Sequence, residues 1–180
     1  MKRPNFSLSE VTLLSLMAAL VYVLRALIKT PIRLPGHNGV LWVIPIILGV
    51  GIVKKTGSAT YVGALAGVMI SFLGASNEGP FKIPEYLVMG LTIDILAAMF
   101  RGHMDNLLAG FIVGAIGNLA KLAINYIVTI LSGIPANFIL AGLGLAATSH
   151  LIFGGLGGFF SALILGRLIK SKLLHRIVAR

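Results

Sequence analysis

Apolar stretches about as long as a bilayer is thick follow one another along this chain, with short polar or proline-glycine breaks between them. Ser7-Leu8-Ser9-Glu10 has the spacing of a capping box, so the first helix is expected to begin there and to cover about residues 10–28. Pro31 and Pro35-Gly36 forbid a helix and set a loop up to Asn38. A second helix is expected over 39–53, with a kink at Pro45, and Lys54-Lys55-Thr56-Gly57 turns the chain into a third over 58–75. Ser76-Asn77-Glu78-Gly79-Pro80 breaks that helix, and a fourth follows over 83–100. Arg101-Gly102-His103 turns into a fifth over 106–131, Ser132-Gly133-Ile134-Pro135 ends it, and a sixth runs over 137–170 into a basic tail.

A spanning helix needs roughly 20 apolar residues, so these six stretches read as six spans in one transmembrane domain covering 1–180. Composition supports lipid as the solvent: 57% of residues are hydrophobic, 11% are charged and the mean hydropathy is +0.99. A water-soluble domain with so little charge would expose large apolar patches. The fold class expected is therefore an all-α integral membrane protein. Lys2 and Arg3 ahead of an apolar run resemble a signal peptide, but Arg25-Ala26-Leu27 follows where a small-residue cleavage site would stand. An uncleaved first helix is expected.

Charge fixes the expected orientation. Lys2, Arg3, Lys54, Lys55, Arg101, Arg167, Lys170, Lys172, Arg176 and Arg180, ten of the fifteen basic residues, fall on one side if the chain crosses six times. That side is expected to be cytoplasmic, with both termini inside, in the cell (inner) membrane of a prokaryote. The net charge of +10 thus belongs to helix ends facing anionic headgroups, and no nucleic-acid partner is implied. Cysteine is absent, which excludes disulfides, thiolate catalysis and cysteine-bound metal. No catalytic set of paired carboxylates or of serine, histidine and acid emerges, no cofactor is called for, and His103 with Asp105 on a turn makes no metal site.

The costly residues are unevenly placed. Arg25, Arg33, His37, Asn38, Asn77, Glu78, Lys82, Glu85, Tyr86, Asn125 and Tyr126 fall in the outer loops or outer helix halves, while Asp94, Asn118, Lys121 and His150 are expected near mid-depth. This asymmetry suggests a polar cavity open outward and closed below. On the fifth helix Asn118, Lys121 and Asn125 share one face, which must point into the bundle. Lys121 is expected either to pair with Asp94 on the fourth helix or to contact ligand, and the two readings coexist. Trp42 suits an interfacial belt or a cavity wall, Glu85 a helix dipole or a ligand, and His150 a packed partner or a ligand contact. The candidate substrate-binding set is Arg33, His37, Asn38, Trp42, Asn77, Glu85, Tyr86, Lys121, Asn125 and His150. Gly63-x-x-x-Gly67, Gly110-x-x-x-Gly114 and Gly154-x-x-x-Gly158 let helix backbones approach closely.

Several of these stretches resemble the substrate-binding (S) components of energy-coupling-factor (ECF) transporters, which take up vitamins and their precursors. The resemblance rests on Leu13-Leu14-Ser15-Leu16-Met17-Ala18-Ala19-Leu20, Gly63-Ala64-Leu65-Ala66-Gly67, Tyr86-Leu87-Val88-Met89-Gly90-Leu91-Thr92-Ile93-Asp94 and Gly154-Gly155-Leu156-Gly157-Gly158. It implies a substrate site on the outer side under the first loop. It also implies a membrane coupling subunit and two cytoplasmic ATPases as partners, with Ser15 and Ala19 standing where the family has its alanine-x-x-x-alanine docking pair. The chain has no Walker A sequence and does not hydrolyse ATP itself. The metal-uptake branch of this transporter class would favour a histidine near the N-terminus, which is absent here. A self-sufficient secondary transporter or channel, and a small polytopic membrane enzyme, are the competing readings. The first would need an inverted repeat or a charged relay through both halves.

Overall fold

A computed structural model describes residues 5–28, 34–74, 79–133 and 135–171, with no side chains described for 136–141. Arg33, Asn77 and the basic tail therefore lie outside the described residues. Six α-helices follow in order: α1 (Leu8–Leu27), α2 (Gly39–Val53), α3 (Ser58–Phe72), α4 (Lys82–Met99), α5 (Leu107–Leu131) and α6 (Ala136–Lys170), with one 3-10 turn at Gly79–Phe81 ahead of α4. The all-helical membrane fold expected from the apolar pattern is what forms. Leu8–Leu27, Leu107–Leu131 and Gly142–Lys170 are each long and apolar enough to cross a membrane, and Gly39–Val53 and Ser58–Phe72 are shorter apolar helices.

α1 starts on a complete capping box, in which Ser7 accepts from the Glu10 N–H while the Glu10 carboxylate accepts from the Ser7 N–H. Glu10 also pairs with Lys55 at 2.6 Å, which ties the start of α1 to the α2–α3 turn. α2 is the central helix: twelve of its fifteen residues are buried, so it is apolar all round rather than on one stripe. α6 packs on both α2 and α5, and α3 pairs with α4.

Two of these pairings depend on missing side chains. A Cβ at Gly63 would run into the backbone of Tyr86, and one at Gly90 into that of Ala59, so α3 and α4 touch backbone to backbone. Gly110 and Gly114 meet Gly158 and Gly154 in the same way between α5 and α6. The small-residue pairs are thus used for packing within the chain.

The expected ion pair between Lys121 and Asp94 does not form. Asp94 instead turns away from α5 and caps α3. Its Oδ1 accepts from the Ala59 N–H at 3.2 Å, and its Oδ2 accepts from the Thr60 N–H at 2.7 Å and the Thr60 hydroxyl at 2.6 Å. The reason is local. The N-cap of α3 is Gly57, which has no side chain to satisfy the first N–H groups, and a carboxylate from the neighbouring helix suits both those donors and the positive end of the helix dipole.

Replacing Asp94 with Ala should therefore lower stability by about 1–3 kcal/mol, measured by denaturant unfolding in detergent. Lys121→Met and Asp94→Asn should act additively, because the two residues share no contact. A coupling above about 1 kcal/mol between them would contradict this assignment.

Candidate functional site: a buried charge node under a loop-covered cavity

Polar side chains gather where the end of α1, the first turns of α2 and α4, the C-terminal half of α5 and the first half of α6 meet. Their centre is Glu85, which has no exposed surface. Lys82, one turn earlier on α4, places its Nζ 2.7 and 2.9 Å from the two carboxylate oxygens. Lys121 on α5 reaches Oε2 at 3.0 Å, and Asn125, one turn further along the same face, donates its amide to Oε1 at 2.8 Å. Spacings of three and four residues bring both members of each helix's pair to one face, so two helical turns build the whole node. Lys82 and Lys121 are themselves 2% and 5% exposed, which makes this a desolvated cluster of two cations and a carboxylate.

Aromatic rings flank the node. The Lys121 Nζ lies 4.9 Å from the ring centre of Trp42 and 5.2 Å from that of Tyr86. The Arg25 guanidinium, from the last turn of α1, sits 5.5 Å from the Trp42 ring and donates to the Tyr86 hydroxyl at 3.4 Å. Trp42 and Tyr86 meet edge to face, with ring centres 6.2 Å apart. The negative faces of the rings receive cations that would otherwise cost much more to bury.

Above this arrangement lies a cavity of about 410 Å³. Its walls include Arg25, Trp42, Lys82, Lys121, Asn125, Tyr126 and His150, with Pro35 and Gly36 on the loop side. The loop is seated on α6. Ser149 donates its hydroxyl to the Pro35 carbonyl, and Gly36, at φ +72°, lies so close to the His150 ring that a Cβ there would overlap it. The Nδ1–H of His150 donates to the Ala146 carbonyl at 2.8 Å, since a carbonyl only accepts. In the neutral ring that leaves Nε2 as an acceptor.

Of the residues expected to bind substrate, Trp42, Lys121, Asn125 and His150 come together as cavity walls. Glu85 and Tyr86 are fully buried beside them and hold their neighbours in place. His37 and Asn38 fall at the start of α2 and are not among the lining residues. The Nδ1 of His37 bonds the Leu34 carbonyl at 2.5 Å, and its buried Nε2 has no partner among the described residues. Arg25, Lys82 and Tyr126 line the cavity although sequence reasoning left them out of the candidate set. The signal for Lys82 was available in its three-residue spacing from Glu85. On α1, Ser15 is half-buried and bonds the Tyr61 hydroxyl of α3 at 3.0 Å.

Removing the carboxylate takes away a counter-charge shared by two buried ammonium groups. Glu85→Gln should therefore destabilise the protein by about 3 kcal/mol in denaturant unfolding. A loss below about 0.5 kcal/mol, typical of a surface substitution, would show that the node carries no structural weight.

Residues 10–120 match the family described as "ABC-type cobalt transport system, permease component". No curated protein matches the chain. Among solved structures, the chain is similar to one titled "Crystal structure of an S-component of ECF transporter", with a TM-score of 0.73 and 18% sequence identity over 96% of this chain and 90% of that one. The six-helix bundle is thus the fold of an S-component, and the chain, matched over more than half its length, belongs to the family of ABC-type cobalt transport system permease components.

Proposed function

We propose that this chain is the substrate-binding subunit of an ECF-type importer, which captures a vitamin or vitamin precursor from the outer side. In this reading it delivers that molecule with a membrane coupling subunit and two cytoplasmic ATPases. The observation that carries the reading is the cavity itself. Its volume of about 410 Å³ lies within the range of small-molecule sites, and it combines ring surfaces with a few converging polar groups. Orientation follows from the basic residues: Lys54, Lys55, Arg101, Arg167 and Lys170 lie toward the end away from the cavity, which we assign to the cytoplasm. The coupling subunit is assigned to α1 around Ser15 and Ala19, where small side chains next to exposed Leu16 and Leu20 permit close helix approach.

The family description names cobalt, and a divalent cation is the second reading. The cavity speaks against it, because Arg25, Lys82 and Lys121 all line it and their field opposes a further cation. Among the described residues, no group of three or more His, Cys, Asp or Glu side chains is placed to hold a metal. An organic molecule makes use of the same cations and of the Trp42 ring.

The test uses purified protein in liposomes and the compound released when that protein is denatured, identified by mass spectrometry. The chain alone should bind this compound without accumulating it, and accumulation should require ATP and the coupling module. Asn125→Leu should weaken binding roughly tenfold, the loss expected for one hydrogen bond in a desolvated site. Gradient-driven accumulation by the chain alone would favour a secondary transporter, and tight binding of Co²⁺ with no organic ligand would favour the metal reading.

A further inference from the structure

Asn118 lies on α5 one turn below Lys121 and is fully buried, yet it is not among the residues that line the cavity. Both polar atoms of its amide are engaged. The Oδ1 accepts from the indole Nε1–H of Trp42 at 3.0 Å, and the Nδ2 donates to the backbone carbonyl of His150 at 2.9 Å. An indole nitrogen only donates and a carbonyl only accepts, so one orientation of the amide alone satisfies both. One side chain on α5 therefore fixes a wall residue on α2 and another on α6.

The packing around Asn118 removes its freedom to do anything else. Gly39 and Gly154 press against it from α2 and α6, each so close that a Cβ would collide with the amide side chain. Trp42 has a second reason to need an anchor. Its ring is approached by two cations, Arg25 and Lys121, and by the edge of Tyr86. A small turn of the indole would disturb all of these contacts. Among them, the bond to Asn118 is the one that uses the polar edge of the ring, and so the one that sets its rotation.

We propose that Asn118 is a positioning residue for recognition: it locks the indole of Trp42 and the His150 turn into one register, so that this wall is formed before ligand arrives. The proposal rests on the reading of the cavity as the ligand site. Preforming the wall spares the cost of ordering it at the moment of binding. Asn118 acts through Trp42, and its loss should appear first as motion of that ring.

The chain contains a single tryptophan, so its fluorescence reports Trp42 alone. Time-resolved anisotropy is measured on full-length protein in detergent micelles with the small molecule removed. The wild type should show an indole that moves only with the whole particle. Asn118→Ala, which removes both bonds, should add a fast component on the nanosecond scale typical of a freed side chain. Asn118→Asp keeps an acceptor for the indole and should restore the immobile ring. Asp94→Asn, which weakens the α3 cap at the other end, serves as the control for general loosening and should leave the ring immobile. An indole equally immobile in wild type and Asn118→Ala overturns the proposal, as does a ring freed equally by Asp94→Asn. If Asn118→Ala does not fold, the Asp variant decides: a mobile ring despite the retained acceptor overturns the proposal. The binding arm quantifies the compound that co-purifies with each variant. A mobile ring with undiminished retention overturns the link to recognition. A wild type that retains no compound counts against the ligand site itself, while the anisotropy still decides whether Asn118 holds Trp42.

Discussion

A carboxylate with no exposed surface, held between two ammonium groups inside an apolar bundle, is the constraint on which the site depends. Glu85 fixes the face of α4 that meets α5, because Lys121 and Asn125 reach it only if those faces oppose each other. Lys121, once held there, lies against Trp42 and Tyr86, and those rings in turn place Arg25 of α1. Taking three charges out of water is expensive, and a plain apolar core could be as stable. The cluster earns its place by giving the cavity charged and polar walls at fixed positions.

The fold was largely legible in the sequence, because bilayer thickness and proline-glycine breaks leave little choice in how this chain is divided. The inward stripe of Asn118, Lys121 and Asn125 followed from helical spacing alone. The partner of Lys121 did not, and the reason is geometric. Helical rise alone set both Lys121 and Asp94 near mid-membrane. Counted from the turn that joins α4 to α5, Asp94 lies five residues from the end of α4 and Lys121 fourteen from the start of α5, so the lysine is level with Glu85, also fourteen residues from that end of α4, and meets its first turn instead. Helical phase held the missing clue. Glu85 and Asp94 are nine residues apart, which at about 100° per residue puts them on opposite sides of α4. One faces α5 and the other faces α3, where Gly57 leaves helix N–H groups in want of an acceptor.

The site was legible as a set of residue types and less so as a set of contacts. Trp42, Lys121, Asn125 and His150 were named and do meet around one cavity. His37 and Asn38 were named because they sit in the first loop, but the chain enters α2 there and brings Pro35 and Gly36 to the cavity instead. Arg25 was counted among the outer polar residues but left out of the candidate set. Only the packing of α1 beside α2 reveals that it points at Trp42. Contacts between helices distant in sequence are set by tertiary packing, which no local pattern encodes.

The central claim is that this cavity holds one small organic molecule, and native mass spectrometry of the detergent-released protein tests it most directly. Gly142 lies in the cavity wall with open space where a Cβ would stand, so Gly142→Trp is expected to crowd the cavity while leaving every residue of the Glu85 node unchanged. The expected result is one small-molecule adduct on the wild type and none on Gly142→Trp, with both variants folded. An adduct of equal mass and occupancy on both would place the ligand elsewhere and contradict the assignment of the site.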